Sequence, residues 1–102
     1  MAELRFRSTA EQDLAAILAF SHGEFGIETA RHYLADFDEV WAMIERYPKA
    51  GRVFRRGEPE IRTYPCRSHR VFYTIDGEIL WIVRILHQAM DHDRIVRTGQ
   101  DL

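Results

Sequence analysis

Two short runs of this sequence gather imidazole and guanidinium groups: Ser68-His69-Arg70, and Arg84-Ile85-Leu86-His87 followed by Met90, Asp91 and His92. An imidazole can move a proton near neutrality, and a guanidinium can hold a phosphate or the charge that develops on one. The pairing therefore invites comparison with RNA cleavage, which needs a base for the ribose 2′-hydroxyl, an acid for the leaving oxygen and cations for the phosphorane. Arg70 and His87, read as sharing one face of a hairpin, could fill two of those roles. The residues after His87 do not extend the set: Gln88, Ala89, Met90 and Asp91 follow, an acidic residue opposes phosphate, and the last tyrosine is Tyr73. His87, Asp91 and His92 are residue types that ligate metals, but their spacing is irregular. A chain reversal followed by a short helix is the expected structure there. Cys66 is the single cysteine and reads as a packed small residue.

The elements that must position these groups follow from periodicity and punctuation. Leu4-Arg5-Phe6-Arg7 alternates like a half-buried strand. Ser8-Thr9-Ala10-Glu11 has the form of a capping box opening a helix through Leu14, Ile17, Leu18 and Ser21, with Gly23 as its left-handed stop. From Gly26 a longer helix places Ala30, Tyr33, Leu34, Phe37, Trp41 and Ile44 on one stripe and ends before Pro48. The two helices form an antiparallel hairpin. Strands are expected at Arg52–Phe54 and Ile61–Tyr64, with Pro65 marking an edge or bulge.

Asp76-Gly77 between two β-rich runs predicts a hairpin with a two-residue turn. If Ile75 pairs with Glu78, then Tyr73 faces Leu80, Val71 faces Ile82 and His69 faces Arg84. On the reverse side Phe72 meets Trp81, Arg70 meets Val83 and Ser68 meets Ile85, with His87 also pointing that way. Both faces are largely apolar, and one helical hairpin covers one of them. The face bearing Phe72, Trp81, Val83 and Ile85 is therefore expected to receive a partner's amphipathic helix, unless the segment after Met90 folds back over it.

The chain has 102 residues, 46% hydrophobic and 29% charged, which fits one globular domain over 1–102. Its net charge of −2 hides a segregation: residues 46–70 carry eight basic and two acidic side chains. Such a segment suits phosphates or an acidic protein surface, or is simply a solvated loop and edge. No apolar run approaches the length of a membrane span. The opening Met1-Ala2-Glu3-Leu4-Arg5 lacks the apolar core of a secretory signal, so the expected location is the cytoplasm.

Asp13-Leu14 with Ile17, Phe25-Gly26, Ala30 and Tyr33, Pro48 and Gly51, Ser68-His69, Phe72-Tyr73, Val83-Arg84-Ile85-Leu86-His87, Met90-Asp91 and Arg94 together resemble the ParE toxins of the RelE/ParE superfamily of type II toxin–antitoxin systems. The resemblance implies an α+β fold, in which an N-terminal strand and an antiparallel helical hairpin pack on a small antiparallel β-sheet. It also implies toxicity through binding DNA gyrase, neutralisation by a ParD-like antitoxin, no catalytic residue, no cofactor, no membrane partner, and nucleic acid met only indirectly through the target. On that basis Arg70, Arg84, His87, Met90 and Asp91 are expected to shape the toxic surface, and Phe72, Trp81, Val83 and Ile85 the antitoxin-binding face. The alternative within the superfamily is a ribosome-dependent mRNA interferase of the RelE type, whose pattern carries further basic residues and often a tyrosine after the His87 position. A third reading keeps the antitoxin-binding fold with toxicity decayed.

Overall fold

The computed structural model describes residues 2–96. Strand β1 (Glu3–Phe6) leads into helix α1 (Ser8–Phe25), helix α2 (Ile27–Arg46), strands β2 (Arg52–Arg55), β3 (Ile61–Cys66), β4 (His69–Asp76) and β5 (Ile79–His87), and a short helix α3 (His92–Ile95). The sheet order is β1-β5-β4-β3-β2. β2 to β5 pair antiparallel, while β1 joins the edge parallel to β5. The α+β class and the helical hairpin expected from sequence are both present.

The helix boundaries differ from the sequence reading. The Ser8–Glu11 capping box does not form, because Ser8 is already helical and Arg7, whose side chain makes no capping bond, occupies the cap position; Thr9 donates its hydroxyl to Val83 O at 3.0 Å. Gly23 lies inside α1, and the helix stops at Gly26. Gly26 has φ 90, a conformation closed to most side chains. That single residue ends α1 and starts α2, so the two helices are joined almost without a loop. Along α2, Phe37, Val40, Trp41 and Ile44 are buried; Leu34 is exposed and Val40 takes its place on the stripe.

The β4–β5 register also differs. Asp76 pairs with Ile79, so Gly77-Glu78 forms the turn, and Tyr73 opposes Ile82. Between Tyr73 and Phe72 the register slips: Phe72 opposes Arg84, making Val83 an extra residue on β5. Such a bulge re-aims everything beyond it. Ile85 joins Val71, Tyr73, Leu80 and Ile82 in the core under the helices, and Val83 and Leu86 join Phe72 on the reverse face. His69 opposes His87, not Arg84. The cause lies in α1. Past Phe6, β5 has no strand on that edge, and its backbone is satisfied by the helix: Thr9 donates to Val83 O, and Asp13 Oδ2 accepts the Ile85 N–H at 2.9 Å.

The reverse face is not vacant. Phe72 and Val83 are fully buried with Ile61, Leu86 and Val96, and Phe54, Trp81 and Ile95 pack around them. Residues 91–96 form the roof. Arg55 holds it, donating to Val96 O at 2.5 Å and Asp93 O at 3.2 Å, and Phe72 meets Phe54 and His92 edge-on at 5.0 and 5.1 Å. Trp81 lies beneath the Arg7 guanidinium, 3.9 Å from its ring centroid. The expectation of an open docking face at Phe72, Trp81, Val83 and Ile85 is therefore corrected: two are sealed under the chain's own C-terminal segment, Trp81 is capped by Arg7, and Ile85 sits on the other side. Among the described residues no helix is long and apolar enough to cross a membrane.

Candidate functional site

On the helix side, a hollow of about 530 Å³ opens between the hairpin and the sheet end where β4 begins and β5 finishes. Its walls are apolar, from Ala16, Ile17, Phe20 and Phe25, and its floor is polar, from Tyr33, Ser68, His69 and His87. The walls arise because α1 is apolar nearly all round from Leu14 to Phe20. One side of it packs on the sheet, and the rest has no core to enter. Phe20 is 65% and Phe25 66% exposed.

The floor is a connected polar cluster. Tyr33 Oη is hydrogen-bonded to His69 Nδ1 and lies 3.2 Å from Ser68 Oγ. The His69 and His87 rings meet edge to face, with centroids 5.2 Å apart. The Ala89 N–H donates to His87 Nδ1 at 3.0 Å, so the proton of the neutral His87 ring resides on Nε2. His92 donates from Nε2 to the His87 carbonyl at 2.9 Å. At the rim Arg67 pairs with Asp36 and stands 5.0 Å from the Tyr33 ring centroid. Burial, and then the neighbouring His87, push the His69 pKa below its ordinary value. Beside this cluster, burial and then Asp36 push the Cys66 thiol up to about 11, so it stays protonated and unreactive near neutrality.

The five residues expected to form the toxic surface divide. Arg84, His87 and Met90 border a second hollow of about 340 Å³ with Asp13 and Ile95. Arg84 is engaged by Asp13, Nε to Oδ2 at 2.8 Å and Nη2 to Oδ1 at 3.1 Å. Met90 is 49% exposed. Asp91 caps α3 by accepting from Arg94 N at 3.3 Å. Arg70 projects from the reverse face, donating from Nε to Thr63 Oγ1 at 3.1 Å. Burial, then nearby Arg52, lower its pKa. Arg70 and His87 therefore do not share a face, contrary to the sequence reading, because the bulge at Val83 turns His87 toward the helices. Nor do His87, Asp91 and His92 converge as metal ligands, since each serves the chain reversal.

The profile of the family described as "ParE toxin of type II toxin-antitoxin system, parDE" matches residues 4–92. The chain belongs to the ParE toxin family. Relatives agree with the family match: Toxin ParE1 of Mycobacterium tuberculosis is 31% identical over 86 residues, covering 83% of this chain and 88% of its own length. Toxin ParE1 of Caulobacter vibrioides is 31% identical over 91 residues, covering 89% and 94%, and Toxin ParE of Escherichia coli 30% identical over 83 residues, covering 80% and 81%. A solved structure described as a chromosomal ParDE TA system from P. aeruginosa shares the fold, with a TM-score of 0.71 at 22% identity over 85% of this chain and 96% of that one. The ParE match contains every residue of the hollow, whereas Ile95 and Val96 of the roof lie beyond it.

Reading the sequence alone, this ParE chain hid three participants. Tyr33 lies on the apolar stripe of α2 and reads as core, yet its hydroxyl reaches the β4 strand start. Phe20 has no place on the expected stripe of the first helix, and Phe25 falls in the junction between Gly23 and Gly26. The available signal is that apolar residues encircle α1 where an amphipathic helix keeps them on one side.

Proposed function

We propose that this ParE toxin acts by binding DNA gyrase and trapping its DNA-cleaved state, and that a ParD-like antitoxin neutralises it. The observation that carries a binding mode of action over a cleaving one is the projection of Arg70 and His87 from opposite faces of the sheet. A ribonuclease would need them together around one phosphate. The exposed Met90, with His87 behind it and Asp91 fixing the turn, is the proposed contact with the target; Met offers adaptable packing there. Arg84 shapes that surface from behind through Asp13. Arg70, on the reverse face near Arg52, is proposed as a flanking cation for the same target. The antitoxin is assigned to the hairpin hollow, whose walls display the exposed Phe20 and Phe25. Burial of Phe72 and Val83 argues against the reverse face as its seat.

The test adds purified protein to gyrase with supercoiled plasmid and, in parallel, to translating ribosomes with mRNA. Linear plasmid with intact message supports the proposal. Cleaved message with no linear plasmid replaces it with the interferase reading, and inactivity in both leaves an antitoxin-binding module without toxicity.

A further inference from the structure

We propose that His69 and His87 together form a carboxylate-binding subsite on the floor of the hairpin hollow, taking an aspartate or glutamate side chain of the antitoxin segment whose apolar neighbours lie against Phe20 and Phe25. The inference rests on the reading of that hollow as the antitoxin's seat, and adds the chemistry of what enters it. Three features of the floor point to an acidic acceptor. The His87 ring is fixed by the Ala89 N–H with its proton on Nε2, and His69, with Tyr33 Oη at its Nδ1, presents Nε2–H when that hydroxyl donates to it. Neither Nε2 has an acceptor among the described residues. Ser21, which lines the same hollow, is 3% exposed and its Oγ is buried with no hydrogen-bond partner among them. A buried hydroxyl without a partner is rare in finished structures; the Ser21 hydroxyl, together with the two Nε2 groups open to the hollow, is served by a group entering it.

The surroundings favour an anion over a neutral acceptor. The charged and titratable groups facing the pair are Tyr33, Asp36 and Arg67, Asp13 with Arg84, and His92. Asp36 is paired with Arg67, and Asp13 is engaged by Arg84 and the Ile85 N–H. Neither carboxylate therefore serves the imidazoles. With the rings 5.2 Å apart, protonating both without a counter-charge is opposed by their mutual repulsion, and an entering carboxylate removes that opposition. Phe20 and Phe25 in its walls stay largely exposed, an apolar surface that suits a polypeptide segment rather than a small acid.

Protonation and binding are therefore coupled: a carboxylate in the subsite raises the imidazole pKa values, and the antitoxin binds more tightly as the pH falls. Titration calorimetry with a ParD-like antitoxin, at about pH 8 and about pH 6, is expected to show affinity rising several-fold on acidification, toward the tenfold limit of a one-unit pKa rise. The double variant His69→Gln, His87→Gln keeps a neutral donor at each position; it should bind with affinity nearly equal at the two pH values. Arg55→Ala, which loosens the roof on the reverse face and touches neither ring, should retain the pH slope, which separates loss of the subsite from general loss of stability. Affinity of the unaltered chain that is flat or falls on acidification overturns the subsite, as does an unchanged slope in the double variant, and in both cases the toxin–antitoxin pairing stands. No binding at either pH overturns the pairing itself and the subsite with it.

Discussion

Asp13 on α1 grips Arg84 on β5 with both carboxylate oxygens, and its Oδ2 also accepts the Ile85 N–H. One side chain thus closes the open edge of β5, fixes the bulge at Val83 and sets the facing of Ile85 and His87. Asp13→Asn removes the charge and weakens all three bonds in a half-buried place. It should lower stability by about 2–3 kcal/mol, measured by urea denaturation. A double-mutant cycle with Arg84→Met should give a coupling of about 1–2 kcal/mol.

Tyr73 and Gly51 form a second lock. The Tyr73 hydroxyl donates to Pro48 O at 2.7 Å and accepts the Gly51 N–H at 2.9 Å, binding the end of the hairpin to the sheet centre. A Cβ at position 51 would stand 2.6 Å from Tyr73 Oη and 2.8 Å from Thr63 O. Tyr73→Phe should cost about 1–3 kcal/mol. Gly51→Ala should cost more, because part of its clash is with backbone. Thermal melts of the two variants order these effects.

Stability should fall on mild acidification. His69 titrates below its ordinary value of 6.5 when folded, so the unfolded chain takes up that proton first as the pH drops. The His69 contribution is complete above about pH 6.5 and is lost as the pH falls from there toward the lower folded pKa. Melting temperatures recorded from neutrality into this range should decline, and His69→Gln should decline less.

Arg55 holds the roof over the reverse face. Arg55→Ala removes its bonds to Val96 O and Asp93 and should destabilise the chain by about 1–3 kcal/mol. Phe72, Val83 and Leu86 then become accessible, and binding of an apolar fluorescent dye should rise under native conditions.

Met90 is exposed and carries no fold contact of comparable weight, so Met90→Ala should leave the melting temperature nearly unchanged. On the proposed function it should nevertheless reduce the linear plasmid accumulated with gyrase several-fold, as loss of an interface anchor does. Unchanged accumulation removes Met90 from the target surface.

The local grammar of the sequence carried much of this architecture. The stripe through Phe37, Trp41 and Ile44, the turn near Asp76-Gly77 and the strands around Val53 and Ile61 all follow from spacing and punctuation. What spacing could not convey was decided between distant residues. The bulge depends on Thr9 and Asp13, about seventy positions from Val83 in the chain, and without it a strict two-residue alternation puts Ile85 and His87 on the wrong side. Gly23 looked like a stop, but a glycine inside a helix costs only about 1 kcal/mol, and α1 continues to a residue that needs φ 90. The roof was underestimated because only Ile95 and Val96 are apolar in it; Phe54, from another strand, completes the cover. In the site, His87 was legible by type. Its neighbour His69 was legible too, but their meeting across the strands required the true register.

The reverse face of the sheet is closed by residues of the same polypeptide, so its closure is a unimolecular event. Mass action has no hold on it: one molecule in isolation keeps those side chains from water as firmly as a crowded population does, and dilution should not lower the temperature at which they come apart.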